Sequence, residues 1–315
     1  MTILVSVVIP TYGRAEALGK AIESVLGQTY KDLEVIIVDD NDPSSKDRSA
    51  TRSIVEGYMA VDGRVRYVEL ERNVGGSLAR NAGVEASVGE LVTFLDDDDY
   101  YYPSKLEKQV SLLLSSGADV CLCNMHAIDG GRLAGYVKSS PVGLDLESFI
   151  VSGNVFTPMI LVRRHIFNAV LGFTDTPRFQ DHLLLMKILA LSAKVVHLDE
   201  CLFVHNVHRG ERVSFSPKSR LAYKNKHFME ARLGEGLSAE CKDFISFRQK
   251  KEMLACDIAE APWYKVFFIF IREITLMRVF FKRKDLFVFF ARQQLKKYDV
   301  FWFIRRVLFS RRINF

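Results

Sequence analysis

Residues 3–125 alternate short, continuous apolar runs with segments that carry apolar residues at helical spacing. The apolar runs cover residues 3–9, 33–38, 65–70, 91–95 and 119–125, and the helical segments cover residues 14–26, 44–59, 77–86 and 103–114. Strands that are apolar on both faces are typical of parallel sheets, because helices cover both sides of such sheets. The sequence therefore predicts an α/β fold with a doubly wound, mostly parallel sheet flanked by helices.

The pattern is less regular after residue 125. Residues 126–178 contain Gly-rich turns and one strand pattern near 159–162, and they contain no readable specificity signal. We expect a helix over residues 181–192, strands over 194–198 and 202–207, and polar helices from about 216 to 261.

Polar side chains follow four of the predicted strands, at the point where each strand ends. They are Thr11, Tyr12, Asp39, Asp40, Asn73 and Asp96 to Asp99. Ligands of doubly wound sheets bind outside the carboxyl ends of the strands. We therefore expect the binding site at this edge of the sheet.

Four consecutive aspartates, Asp96 to Asp99, directly follow the apolar run of residues 91–95. In an extended chain Asp96 and Asp98 point to the same side, about 7 Å apart. Clustered carboxylates repel one another unless a cation lies between them, and hard divalent cations bind oxygen ligands. A solvated acidic turn is the alternative, but the buried strand that leads into the cluster favours a metal site.

Two common phosphate-binding loops are absent from the sequence. The turn after the first strand reads PTYGR, and neither a GxGxxG motif nor a Walker loop occurs. The glycines at residues 75–76 are too far along the chain and wrongly spaced for a dinucleotide fingerprint. A dinucleotide-binding or P-loop protein is therefore not expected.

Seven segments together resemble a known family. They read SVVIPTYGRAEALGKAIESVLGQTY, VIIVDDND, RNVGGSLARNAG, GELVTFLDDDDYYYP, GNVFTPMILVRRHIF, GFTDTPRFQDHLLLMK and HNVHRGERVS, and they span residues 6–214. In order and spacing they resemble glycosyltransferase family 2. The resemblance implies the GT-A fold, a nucleotide-diphosphate-sugar donor (foremost a UDP-sugar), a divalent cation (Mn²⁺ or Mg²⁺) and an inverting mechanism.

The resemblance also implies a donor site. The residues at matching positions are Thr11, Tyr12, Asp39, Asp40, Arg80, Asp96 and Asp97. Asp40 would accept a hydrogen bond from the base, on which Tyr12 could stack. Arg80 would contact a donor phosphate, and Asp96 or Asp97 would contact the ribose directly or through water.

The same resemblance implies the metal ligands and a catalytic base. Asp96 and Asp98 would form the DXD pair, with Asp98 as the direct ligand, and His208 would lie in a loop that closes over the metal and diphosphate. Asp181 would be the general base that takes the proton of a sugar hydroxyl, which is a poor nucleophile without one. Gln180 departs from the family, which often has an acidic residue at this position.

Simpler interpretations of these residues stay open. Asp39 and Asp40 could cap the helix that follows them, and Asp181 could only supply negative charge to the first turn of its helix. His205 and His208 could be ordinary surface histidines, and the arginine pair at residues 163–164 is expected to be solvated. At the level of the whole chain, a noncatalytic nucleotide-sugar-binding or scaffold protein with the same fold remains the alternative to an enzyme.

Charge and aromatic residues are concentrated at the end of the chain. Residues 261–315 hold 13 Lys/Arg against three acids, 12 of the 23 Phe and both Trp, so they carry +10 while the whole chain carries +5. If residues 263–281 are helical, nearly all their charges fall within an arc of about 140°. We expect a helix that lies in a membrane interface with anionic lipids; a helical appendage packed on the protein or on a partner is the alternative.

We accordingly divide the chain into a GT-A domain (residues 1–215), a helical connector (216–260) and a basic tail (261–315). The five cysteines lack metal-site spacing, and the first strand begins almost at Met1; we expect a reducing compartment and no signal peptide. The expected location is cytoplasmic, peripheral on the inner face of the cell membrane, with a glycan or lipid-linked glycan as acceptor. No nucleic-acid partner is expected, because no recognised motif accompanies the basic charge.

Overall fold

The computed structural model describes residues 3–129, 132–137, 145–207 and 217–260, and the described residues up to Met253 form one compact unit. The strands are β1 (Val5–Thr11), β2 (Leu33–Asp39), β3 (Val65–Glu69), β4 (Leu91–Phe94), β5 (Tyr100–Tyr101), β6 (Val120–Asp129), β7 (Arg132–Val137), β8 (Ile160–Arg163) and β9 (Val195–Val207). The helices are α1 (Ala15–Leu26), α2 (Lys46–Val61), α3 (Gly76–Ala86), α4 (Lys105–Ser116), α5 (Leu146–Ser152), α6 (Arg164–Ala169), α7 (Gln180–Ala190), α8 (Pro217–Leu233) and α9 (Ala239–Glu260), with a 3₁₀ turn at Thr157–Met159.

The described strands form one sheet in the order β3-β2-β1-β4-β8-β6-β9-β5, with β7 paired to β6. Strands β3, β2, β1 and β4 are parallel to one another, and β9 is parallel to β6. Strand β8 is antiparallel to both β4 and β6, and so joins the two parallel parts. The predicted α/β fold with a mostly parallel, helix-flanked sheet is confirmed.

The strand register aligns the carboxyl ends of the central strands. Thr11, the last residue of β1, lies opposite Asp39, the last residue of β2. On the other side of β1, Val8 lies opposite Phe94, the last residue of β4. The acidic segment after β4 therefore begins beside the residues that end β1, as the sequence predicted.

Helix α3 packs directly onto this part of the sheet. A methyl group at Gly83 would lie 2.3 Å from a methyl of Val8 and 2.8 Å from a methyl of Val38. Only a residue without a side chain allows this approach, because atoms in a close-packed core cannot overlap. The contact fixes the distance between α3, which carries Arg80, and the strands that end at the site.

Three details differ from the predicted pattern. Strands β5 and β7 were not predicted, and the two strands expected over residues 194–207 are one continuous strand, β9. Irregular pairing between β6 and β9 near Asn124 lets β9 continue through its polar middle. Helix α4 starts at Lys105, so Pro103 precedes the helix instead of lying in its first turn.

The expectation that the arginines at positions 163 and 164 are solvated is wrong. Arg164 donates hydrogen bonds to the carbonyl oxygen of Val84 (2.8 Å) and to the hydroxyl of Ser87 (2.7 Å). Arg163 donates from Nε to the carbonyl oxygen of Ala118 (2.9 Å). The two guanidinium groups therefore connect β8 and α6 to the end of α3 and to the residues before β6. Backbone carbonyls at the ends of helices need such donors.

Two predictions fall on residues outside the described ranges. They are the assignment of His208 to a closing loop and the basic interfacial tail of residues 261–315. None of the helices within the described ranges is both long and apolar enough to span a bilayer.

Candidate active site

The segment after β4 turns sharply, so that its four aspartates point to different partners. The amide of Asp99 donates to the carbonyl oxygen of Asp96 (3.1 Å), which closes the turn. The Asp99 carboxylate is buried and accepts from Nδ1 of His205 (3.0 Å) and from the amide of Asn206 (2.9 Å). Asp99 therefore anchors the turn to the end of β9, and it was not among the predicted site residues.

Burial controls the ionisation of the Asp99–His205 pair. It raises the pKa of Asp99 to about 7, although the hydrogen bond from His205 acts in the opposite direction. Burial alone would lower the pKa of His205, but the Asp99 carboxylate raises it above its ordinary value. The two groups form a charge-assisted contact.

Asp97 points back toward β1. Its carboxylate accepts from the hydroxyl of Thr11 (2.8 Å), from the amide of Tyr12 (3.4 Å) and from Nη1 of Arg14 (3.2 Å). Burial raises the pKa of Asp97 to about 6, and the neighbouring Asp98 charge adds to the effect. The predicted donor residues Thr11, Tyr12 and Asp97 therefore lie together, while the Tyr12 side chain is exposed.

Arg14 is a site residue that the sequence analysis missed. The same Nη1 that contacts Asp97 also forms an ion pair with Asp98. Arg14 stands in the segment PTYGR, between β1 and α1, but nothing in that segment indicates a partner 83 or 84 residues away. Only the strand register brings them together.

Asp96 points to the opposite side of the turn, toward α3 and α7. It forms an ion pair with Nη2 of Arg80, and Nη1 of Arg80 donates to Oε1 of Gln180 (2.6 Å). Nε of Arg80 is buried and has no hydrogen-bond partner within the described ranges. Arg80 thus connects Asp96, a predicted donor-site residue, to the residue that precedes Asp181.

Asp181 lies in the first turn of α7. Burial raises its pKa to about 6; the amide of His182 (2.8 Å from Oδ1) and the charge of Arg80 oppose this rise, and the charge of Asp96 adds to it. Asp181 therefore interacts electrostatically with both residues of the Arg80–Asp96 pair. Its position fits both interpretations left open above, since a carboxylate in a first helical turn also favours the helix.

The residue before α7 has an unusual backbone conformation. Phe179 has φ +63°, in the left-handed region that bulky residues rarely adopt. Its ring packs against Tyr223 of α8, with the centroids 5.1 Å apart, and the ammonium of Lys226 lies 5.3 Å from its centre. Such conformations persist only when surrounding contacts hold them, and they cluster at functional sites.

Asp39 is fully buried and is saturated by protein groups. It accepts from the amide of Asn41 (2.9 Å) and from the hydroxyl of Tyr67, and its carboxylate lies 3.3 Å from Nε of Arg48. Burial raises the pKa of Tyr67 well above its ordinary value, and the bond to Asp39 adds to this rise. Asp39 therefore holds together the segments around the end of β2.

Asp40 binds the loop that leads into α3. Its two carboxylate oxygens accept from the amides of Val74 (2.7 Å) and Gly75 (2.9 Å). Burial raises the pKa of Asp40, and these two hydrogen bonds oppose the rise. The alternative that Asp39 or Asp40 caps α2 is wrong, because Ser45 accepts from the amide of Arg48 in that role.

The protein alone offers an incomplete metal site. Within the described ranges no three Asp, Glu, His or Cys residues converge in a geometry that could hold a metal ion. Asp98 and Asp97 nevertheless share one cationic group, Arg14, so this turn does direct carboxylates at a single cation. Mg²⁺-like ions are commonly held by one or two carboxylates together with substrate phosphates. Asp98 is a carboxylate of this kind, but the expectation that Asp96 and Asp98 point to the same side is wrong in this structure, because Asp96 is turned toward Arg80 and Asp98 toward Arg14.

Residues 6–171 match the family model for glycosyl transferase family 2. Glycosyltransferase GlyG of Streptococcus pneumoniae is 28% identical over 225 residues, which cover 67% of this chain and 73% of the relative. The putative teichuronic acid biosynthesis glycosyltransferase TuaG of Bacillus subtilis is 28% identical over 237 residues, covering 72% of this chain and 91% of the relative. An uncharacterized glycosyltransferase of Rickettsia felis is 31% identical over 67% of this chain, which spans only 35% of that longer relative.

Solved structures share the fold. The crystal structure of S. aureus TarS 1–349 in complex with UDP-GlcNAc superposes with a TM-score of 0.65 at 23% identity, over 84% of this chain and 77% of that one. The mannosyltransferase PcManGT from Pyrobaculum calidifontis, in complex with GDP-Man and Mn²⁺, gives a TM-score of 0.56 at 16% identity, over 98% of this chain and 87% of that one. At these identities the likeness establishes the architecture of the chain.

Proposed function

Because the chain belongs to glycosyl transferase family 2 and has the GT-A fold, we propose that it transfers a sugar from a nucleotide-diphosphate donor to a hydroxyl group of a glycan or lipid-linked glycan. The transfer inverts the configuration at the anomeric carbon. It is assisted by Mn²⁺ or Mg²⁺, and Asp181 is the general base.

The observation that carries this proposal is the chain of contacts from Asp96 through Arg80 to Gln180. Asp96 belongs to the acidic turn, whereas Gln180 is bonded directly to Asp181 in sequence. The donor side and the candidate base are thus held in one arrangement by a single guanidinium group. A displacement reaction needs this arrangement, because the nucleophile and the leaving group must be positioned in one geometry.

On the donor side, Asp98 and Asp96 would hold the divalent cation together with the diphosphate oxygens of the donor. A cation bound there would stabilise the negative charge that develops on the leaving diphosphate. Thr11, Tyr12 and Asp40 would surround the base, and Asp97 or Asp96 would contact the ribose. Arg80, whose Nε has no hydrogen-bond partner within the described ranges, would turn part of its positive charge toward a phosphate.

On the acceptor side, Asp181 would take the proton of the attacking hydroxyl. It lies on a different chain segment from the acidic turn, which suits a base that must lie on the face opposite the leaving group. With a pKa of about 6, raised by burial, the carboxylate is mostly ionised at neutral pH and still basic enough to accept a proton. This balance is typical of a carboxylate that acts as a general base.

A UDP-sugar is the proposed donor, in line with the TarS complex with UDP-GlcNAc; the PcManGT complex with GDP-Man makes a GDP-sugar the alternative. The names of TuaG and of the succinoglycan biosynthesis protein ExoO support a surface glycan as acceptor. The basic tail of residues 261–315 would hold the enzyme at the inner face of the membrane. A noncatalytic nucleotide-sugar-binding or scaffold protein remains the alternative.

Donor hydrolysis tests the proposal without knowledge of the acceptor. The native protein and Asp98→Ala would be incubated with Mn²⁺ and UDP-GlcNAc, UDP-glucose or GDP-mannose, and the released nucleotide would be measured. We expect slow release by the native protein and a loss of about 100-fold or more in Asp98→Ala, because the ligand of a catalytic cation is removed. Asp62→Ala is the matched control. Asp62 pairs with Arg64 just before β3 begins, at the amino end of the strand and away from the carboxyl ends that carry the candidate site. Donor binding without release by any protein would favour the scaffold.

A further inference from the structure

We infer that Arg14 is a further donor-binding residue, which neutralises the acidic turn before the donor arrives and moves to the donor's diphosphate when a divalent cation takes its place. This inference rests on the proposed function, because it concerns the same metal and nucleotide. It adds a residue and an exchange of partners that the family resemblance did not assign.

The Arg14 side chain contacts both Asp97 and Asp98. Nη1 of Arg14 lies 3.2 Å from Oδ1 of Asp97 and also forms an ion pair with Oδ2 of Asp98. The side chains of Asp97 and Asp98 are only 6% and 8% exposed, whereas that of Arg14 is 51% exposed. Arg14 therefore reaches two enclosed carboxylates from the solvent side, and it is the member of the cluster that can leave most easily.

The acidic turn needs a positive charge beside it. Two neighbouring carboxylates that are both shielded from water are stable in the ionised form only beside a cation. Arg14 supplies that cation here, and no set of three metal-binding side chains competes with it within the described ranges. A divalent cation that used Oδ2 of Asp98 would have to displace Arg14, because that oxygen already lies against the guanidinium.

Hydrogen bonds anchor the backbone of the loop that carries Arg14. Gly13 has φ +67°, and its amide donates to Oδ1 of Asn41 (2.7 Å). The amide of Tyr12 donates to Asp97 (3.4 Å). With the backbone before Arg14 held by these two hydrogen bonds, the guanidinium of Arg14 can change partners by rotation of its own side chain.

The chemistry of the released group completes the argument. A guanidinium presents a planar fork of donors that matches phosphate as well as carboxylate geometry. The diphosphate of the donor must lie beside the cation held by the acidic turn, which is where Arg14 is attached. If Arg14 formed only an ordinary half-exposed ion pair, it would contribute little to stability and would not affect ligand binding. The two interpretations therefore differ in what the loss of Arg14 does to ligand binding.

The test measures Mn²⁺ binding alone, from the electron paramagnetic resonance signal of free Mn²⁺, and UDP binding at saturating Mn²⁺, by calorimetry. The proteins are native, Arg14→Ala, Arg14→Lys and Arg66→Ala. Arg66 is the matched control, because it is 48% exposed and pairs with Glu34 near the amino end of the strands. Circular dichroism and thermal unfolding verify that each variant is folded.

We expect Arg14→Ala to bind Mn²⁺ alone about threefold to fivefold more tightly, because a competing surface cation is gone. We expect the same variant to bind UDP with Mn²⁺ about tenfold more weakly, because a charge-assisted phosphate contact is lost. The Mn²⁺ and UDP affinities of Arg14→Lys should lie between those of the native protein and Arg14→Ala. Arg66→Ala should have the affinities of the native protein.

Unchanged affinities in Arg14→Ala would overturn the inference and leave the proposed function intact. Tighter Mn²⁺ binding with unchanged UDP binding would overturn the transfer of Arg14 to the diphosphate. If the native protein binds neither UDP nor GDP in the presence of Mn²⁺, the proposed function and the inference both fail.

Discussion

Replacement of Asp181 by asparagine should abolish catalysis and, at neutral pH, stabilise the protein. Burial raises the pKa of Asp181 to about 6 from an ordinary value of 3.8. Ionisation of this group is thus less favourable in the folded protein than in the unfolded chain. The native protein bears that cost increasingly as pH rises above the unfolded pKa of 3.8, and in full above the folded pKa of about 6. An amide of the same shape does not bear it.

The size of the effect follows from the two pKa values. One pKa unit corresponds to about 1.4 kcal/mol, so the rise from 3.8 to about 6 costs about 3 kcal/mol at pH above 6. Between pH 4 and 6 the folded protein binds more protons than the unfolded chain, so native stability falls as pH rises through this window. The stability difference between Asp181→Asn and native should therefore be about 3 kcal/mol at pH 7.5 and less than about 1 kcal/mol at pH 4.

Urea unfolding of both proteins at these two pH values measures this difference, and all groups common to the two proteins cancel. Release of nucleotide from the donor measures the catalytic effect, for which we expect a loss of about 100-fold to 10,000-fold. In the native enzyme, release should fall about tenfold for each pH unit below 6, because the base must be ionised to accept a proton. A stability difference that does not change with pH, or an Asp181→Asn variant with native activity, would refute the assignment of Asp181 as an enclosed base.

Two further predictions concern α3. Arg80→Gln removes a positive charge that opposes the burial-raised pKa of Asp181, so the acid limb of the pH–rate profile should move to higher pH, by about half a unit to one unit; an unmoved acid limb would show that Arg80 does not act on the base. Gly83→Ala places a methyl group 2.3 Å from Val8 and 2.8 Å from Val38, and should lower the free energy of unfolding by about 1–3 kcal/mol in a urea titration; a variant of native stability would mean that α3 can shift away from the sheet.

The main strands could be predicted from the sequence, because a strand covered by helices on both faces must be apolar along its whole length. Strand β5 could not be predicted, since its two residues are a strand only through pairing with Val204 and Phe203 of β9. For a related reason, the sequence did not predict that β9 is one continuous strand. Its polar middle resembles a turn, and only its pairing with β6 shows that the chain stays extended.

Those site residues could be predicted whose side-chain type alone indicates their chemistry. Carboxylates at the ends of β2 and β4 are of this kind, because parallel strands bring their carboxyl ends to one edge. Arg14 and the Arg80–Gln180 contact were not predictable, since each joins residues more than 80 positions apart. An arginine is compatible with many partners, and its sequence neighbours do not specify which one it meets.

The Asp96–Asp99 turn is sensitive to length even though its composition is uniform. Each of its identical residues has a different set of partners: Asp96 faces Arg80, Asp97 faces Thr11 and Arg14, Asp98 faces Arg14, and Asp99 faces His205. Loss or gain of one aspartate would shift every later carboxylate by one place and give it a neighbour's surroundings. The four aspartates are therefore not interchangeable, although the repeated sequence suggests that they are. Deletion of a single aspartate codon there should be as harmful as replacement of Asp98.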